Sequence, residues 1–142
     1  MSYLLDTNTI SEFTKAPPDE RVMAWFATIS GRSTYLSVAT IAEIRMGVEN
    51  RRINRHGVDL ERWLNEQVLP RYGERILAVG PEVADYWGRY MLVLRNLDRR
   101  SYAIDALIGA TAAVHDLTIV TRNERDFAPL GVPVLNPWTF EA

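Results

Sequence analysis

The chain has 142 residues, 47% of them hydrophobic and 24% charged, with a formal net charge of -2. This is apolar material for one core, so residues 1–142 are expected to form a single domain, and the slight acidity excludes a global positive field for collecting nucleic acid. No cysteine is present, which excludes disulfides, zinc thiolate sites and cysteine nucleophiles.

The basic side is almost wholly arginine, with Lys15 the only lysine, and arginine's planar fork suits phosphate, carboxylate or surface ion pairs. No apolar run of about 18 residues and no signal-peptide pattern appears at the start. A soluble, cytoplasmic protein without membrane contact is expected.

The first element is a short apolar strand, Tyr3–Leu5, ending abruptly on Asp6. Thr9-x-x-Glu12 then reads as a capping box, so a helix begins within a few residues of that acid. After Pro17, Pro18 and Asp19, the spacing of Val22, Trp25, Phe26 and Ile29 predicts one apolar stripe of a helix. Residues 34–38, TYLSV, form a β-branched and aromatic strand, and Thr40-x-x-Glu43 opens a helix carrying Ile41, Ile44 and Val48. Residues 54–57 break the pattern and place His56 in a loop. A helix with Leu60, Trp63, Leu64 and Val68 follows, up to Pro70, and RILAV (75–79) supplies a third strand. Val83, Trp87, Tyr90 and Leu94 mark the next helix. The polar turn LDRRS leads to a helix over about 103–115 with Ile104, Leu107 and Ile108 on its buried side. LTIVT (117–121) is a fourth strand and VPVL (132–135) a short fifth. Strands alternating with helices predict an α/β fold, a three-layer α/β/α sandwich around a mostly parallel sheet of about five strands.

In such a sheet ligands bind at the carboxyl ends of the strands. Asp6 ends strand one, and Glu43 lies in the first turn of the helix after strand two. Asp105 opens a helix of about 13 residues that spans the sheet's height on its way to strand four, so its start returns to the same edge. The segment TRNERDF, directly after strand four, brings Asn123 and Asp126 there. Four carboxylates distant in sequence thus converge by topology. Like charges at close range are relieved by a raised pKa or by a hard cation. Mg²⁺ takes carboxylate oxygens, retained waters and substrate phosphate, and it activates water for attack on a phosphoryl centre.

Taken singly, Glu43 and Asp105 are explained by helix capping and the helix dipole before chemistry, and Asp126 by a turn. Asp6 is not, unless it is itself an N-cap. His56 and His115 do not fall at the acid edge. No GxSxG elbow, Walker lysine loop or GxGxxG occurs, which removes triad hydrolysis and those nucleotide folds. Phosphoaspartyl phosphatases and receiver domains also end strands on acids, but Lys15 is poorly placed for their lysine, and Asn8 stands where the phosphatase pattern wants a second aspartate.

LLDTN with SEF, TIAEIRMG, DALIGATA and IVTRNERDF occur in the order and approximate spacing of the PIN-domain ribonucleases, and the chain resembles these over nearly its whole length. It is most similar to the bacterial VapC and FitB-like toxins, the NPW tail at 136–138 included. The resemblance implies a Mg²⁺- or Mn²⁺-dependent endoribonuclease, the toxin of a toxin–antitoxin pair, inhibited by a small antitoxin protein and forming a homodimer or a higher toxin–antitoxin assembly. It implies Asp6, Glu43 and Asp105 as metal-binding acids. The fourth position falls on Asn123 or on Asp126, and only the aspartate would supply charge. Asn8 is either a support for Asp6 or a helix N-cap. Arg45, Arg122 and Arg125 are candidate contacts to RNA phosphates, with an ion-paired or solvated arginine as the alternative for each. The competing reading is a catalytically weak PIN-like module that works through RNA or protein binding.

Overall fold

Strand β1 (Tyr3–Leu5) lies at the centre of the sheet in the computed structural model, which describes residues 1–51, 56–97 and 102–142. It is flanked by β2 (Thr34–Ser37) and β4 (Thr118–Val120), with β3 (Ile76–Leu77) and β5 (Val134–Leu135) at the edges. The order β3-β2-β1-β4-β5 is parallel at every pairing, with Leu4 opposite Tyr35 and Ile119, and Leu5 opposite Val120.

Parallel strands covered on both faces need apolar residues on both. Alternation along the strand does the sorting: Leu4 and Ile119 enter one core with Leu107, Ile108 and Phe127, while Leu5, Leu36 and Val120 enter the other with Trp25, Ile44 and Val68. The first core is covered by α6 (Pro81–Asn96) and α7 (Tyr102–His115), which pack along each other. Because α7 lies between the sheet and α6, its residues from Ala106 to Ala112 are all buried. The second core is covered by α2 (Glu20–Phe26), α3 (Val38–Arg51), α4 (His56–Trp63) and α5 (Leu69–Tyr72). The three-layer sandwich is the expected one, and its sheet is wholly rather than mostly parallel. Among the described residues no helix is long and apolar enough to cross a membrane.

Local differences from the sequence reading have specific causes. Helix α1 (Thr7–Ile10) starts directly after Asp6, whose carboxylate caps it. The expected Thr9/Glu12 box is not formed: the Thr9 hydroxyl donates to the Val120 carbonyl at 2.7 Å, and Glu12, 2% exposed, pairs with Lys15 at 2.9 Å. Helix α3 begins two residues before Thr40, because the buried Ser37 at the strand end accepts the Ala39 N–H at 3.0 Å and serves as its cap. His56 opens α4 instead of lying in a loop; residues 52–55 of the expected break, and 98–101 of the LDRRS turn, fall outside the described residues. The helix expected to stop at Pro70 continues to Tyr72. A π-wound stretch, Leu64–Val68, precedes the proline, and such a wider turn accommodates a ring that has no N–H and crowds the preceding turn. Ladder pairing trims RILAV to two residues.

Candidate active site at the carboxyl edge of the sheet

The strand order reverses its direction of growth at β1 and β4, so their connections diverge and leave a crevice beyond the strand ends. Asp6 stands there. Its N–H continues the ladder to the Val120 carbonyl at 2.9 Å, while φ -68° and ψ 159° turn the chain out of the strand and into α1. Oδ1 accepts the Thr7 N–H at 2.8 Å. Oδ2 accepts the Thr121 hydroxyl at 2.7 Å and the Asn8 amide at 3.3 Å.

Asp6 is only 7% exposed. Burial pushes its carboxyl up to about 6; the bonds from Thr121 and Thr7 oppose this, and the charges of Glu43 and Asp126 add to it. Three of the predicted acids therefore share one electrostatic neighbourhood. Glu43 reaches it from the interior of α3, where its Oε1 accepts the Thr7 hydroxyl at 2.5 Å, so the first-turn capping role is not what holds it. Asp126 comes from α8 (Glu124–Phe127), the short helix after β4, and is half-buried.

Asp105 is half-buried in the first turn of α7, as the sequence places it. One turn further along that helix, a Cβ on Gly109 would stand 2.5 Å from the Leu130 side chain, so the missing side chain lets the segment after α8 seat against α7. Among the described residues no three or more His, Asp or Glu side chains are gathered closely enough to clasp an ion on their own.

Asn8 ties the two turns of the crevice together. Its amide donates to Asp6 and, at 3.3 Å, to the Thr121 hydroxyl oxygen, and its Oδ1 accepts the Arg122 N–H at 3.3 Å. Supporting Asp6 is its place, and Asp6 itself takes the N-cap. Asn123 is exposed at the start of α8, where its N–H donates to Thr121 Oγ1 at 3.0 Å. Of the candidate arginines, Arg45 is held by Glu61 at 2.5 Å and Glu49 at 3.8 Å, the ion-paired alternative. Arg122 is exposed with its guanidinium 5.4 Å from the Trp138 ring centre, and Arg125 is exposed on α8.

The sequence reading missed three threonines. Thr121 sets one oxygen of Asp6, Thr7 links Asp6 to Glu43, and Thr40 stands 3.3 Å from the Thr7 hydroxyl. The available signal was small: Thr7 and Thr121 stand within two residues of the ends of β1 and β4, where apolar strand gives way to polar residues, and Thr40 lies inside α3.

The donors are oxygens throughout, with a buried carboxylate whose ionisation is opposed by two others. That set fits a hard divalent cation, which needs only one or two direct carboxylates and keeps water on its remaining positions.

Fold and crevice together define the class: an all-parallel α/β domain with acids at its topological switch point. Residues 3–131 match the PIN domain family, and the chain belongs to it. The chain is 36% identical over 135 residues to Toxin FitB of Neisseria gonorrhoeae, covering 95% of this chain and 97% of that one. It is 31% identical over 135 residues to VapC ribonuclease Y4jK of Sinorhizobium fredii, covering 95% and 96%. The crystal structure of FitAcB from Neisseria gonorrhoeae superposes with a TM-score of 0.86 at 36% identity, over 97% of this chain and 99% of that one.

Proposed function

We propose that the chain is a divalent-metal-dependent endoribonuclease acting as the toxin of a toxin–antitoxin pair. The observation that carries this reading is the buried Asp6 carboxylate at the switch point, fixed by three donors and within reach of the charges of Glu43 and Asp126. The relatives named as a toxin and as a VapC ribonuclease support it.

Asp6 and Asp105 would hold Mg²⁺, or Mn²⁺ in its place, with Glu43 reaching the ion through a bound water rather than as a third direct carboxylate. When bound, the ion lowers the pKa of a coordinated water and offsets charge on the phosphoryl oxygens. Glu43 and Asp126 would help place the attacking water or a second ion. Asn8 and Thr121 keep Asp6 Oδ2 aimed, and Asn123 supplies a neutral amide at the rim. Arg122 and Arg125, exposed beside the crevice, contact RNA phosphates and give a local, salt-sensitive attraction in an acidic protein. Arg45, held by Glu61, contributes to the fold of α3 against α4. The partners are an RNA, a small antitoxin protein that blocks the crevice, and a second copy of the chain.

The second reading, a PIN-like module that binds without cutting, is favoured by one observation: the turn after β4 places the neutral Asn123 at its rim. Cleavage of a structured RNA pool by antitoxin-free protein separates the two. The nuclease reading expects products with Mg²⁺ or Mn²⁺, none with EDTA, and none from Asp6→Asn. Intact RNA in every condition, from folded protein, would establish the binding module instead.

A further inference from the structure

We propose that Thr7 is the positioning residue for Glu43, setting where that carboxylate stands relative to Asp6. The inference rests on the nuclease reading and extends it to a residue that holds no metal itself.

Thr7 touches both acids. Its backbone N–H is taken by Asp6 Oδ1 at 2.8 Å, and its hydroxyl lies 2.5 Å from Glu43 Oε1 and 3.3 Å from Thr40 Oγ1. A threonine hydroxyl has one hydrogen. The carboxylate is the shorter contact and the stronger acceptor, so the hydrogen goes to Glu43, and the Thr7 oxygen is left to accept from Thr40. The resulting line of donors, Thr40 to Thr7 to Glu43, ends on an ionised group, where hydrogen bonds are shortest and strongest.

Among the described residues no other bond to the Glu43 side chain competes for this role in explaining its position. It sits six residues into a helix already capped by Ser37, so neither the helix terminus nor a capping box fixes it. Thr7, by contrast, is the first residue of α1 and is anchored by Asp6 through its backbone. The separation of two carboxylates on different elements is thus set by one side chain of fixed, β-branched rotamer. One lone pair of Glu43 Oε1 is consumed by this bond.

The test compares wild type, Thr7→Val, Thr7→Ser, Glu43→Gln and the Thr7→Val/Glu43→Gln pair in antitoxin-free protein, with Asp6→Asn as control. Two quantities are read: Mn²⁺ affinity by calorimetry and RNA cleavage as kcat and KM. Removing such a support typically costs about 10–100-fold in metal affinity or activity. Thr7→Val is expected to lose at least about 10-fold in Mn²⁺ affinity and in kcat, with KM unchanged and Thr7→Ser restoring both. The double variant should be no weaker than Glu43→Gln, because residues acting through one another are not additive. Should Thr7→Val not fold, Thr7→Ala carries the same comparison. Wild-type behaviour in the hydroxyl-free variant, or a loss additive with Glu43→Gln, overturns the proposal. If wild type shows no Asp6-dependent Mn²⁺ binding, the nuclease reading itself fails and takes this inference with it.

Discussion

Asp6→Asn replaces a strained carboxylate by a neutral isostere, and its effect on stability should depend on pH in a defined way. In the folded, metal-free protein the carboxyl is raised from an ordinary 3.8 to about 6. The folded state therefore binds more protons than the unfolded chain between these values, and stability falls as pH rises through that window. A carboxyl moved from 3.8 to about 6 sets the cost at about 3 kcal/mol, complete above pH 6 or so and absent below about 4. The amide escapes this cost, but at a constant penalty. Asp6 accepts three donors, from Thr7, Thr121 and Asn8, and an asparagine must turn its own NH₂ toward one of them, worth about 1–3 kcal/mol. The constant term leaves the slope untouched. Urea denaturation in EDTA, followed by tryptophan fluorescence between pH 4 and 7.5, measures both. The stability difference should move by about 3 kcal/mol in favour of the variant as pH rises, and Mg²⁺ at pH 7 should stabilise wild type alone. A difference that stays flat across this range would refute the claim that the crevice strains Asp6.

Three further outcomes follow from neighbouring residues. Thr121→Val removes the hydroxyl bonded to Asp6 at 2.7 Å, so the Asp6 carboxyl should rise further and the acid limb of the pH–rate profile should move to higher pH; stability at pH 7 should drop by about 1.5–3 kcal/mol. Phe127, fully buried directly after Asp126, anchors α8 in the first core, and Phe127→Ala should cost about 3–5 kcal/mol by denaturant unfolding. Arg122→Ala should weaken RNA binding and reduce the log–log salt slope by about 0.7 for a single-stranded substrate, with kcat little changed; an unaltered slope would remove Arg122 from the phosphate contacts.

The legible parts of this protein are those set by local pattern. The strand ending on Asp6, the apolar stripes of α2 and α6, and the alternation of strand and helix predict that the acids share one edge, and Asp6, Glu43 and Asp126 do share one electrostatic neighbourhood. Boundaries were less legible where two signals overlap: Ser37 and Thr40 are both good caps three residues apart and both are buried, and the bond from the Ala39 N–H to the Ser37 hydroxyl decides between them. Pro70 is an ordinary stop signal whose effect a π turn absorbs. The hydroxyl network was not legible at all. Thr7 meets Glu43 across 36 positions and Thr121 meets Asp6 across 115, so these partners are chosen by packing, and a threonine at a strand end looks the same with or without them. Arg45 shows the converse, since its position near the edge suggested phosphate binding, and a glutamate one helix away occupies it.

The most direct test of the site is the location of a metal ion. In crystals of antitoxin-free protein soaked with Mn²⁺, anomalous scattering should place an ion beyond the carboxyl end of β1, at bonding distance from Asp6 and facing Asp105, and Asp6→Asn should abolish it. An ordered Mn²⁺ bound elsewhere, or a crevice that stays empty at saturating metal, would contradict the assignment of these acids as a nuclease centre.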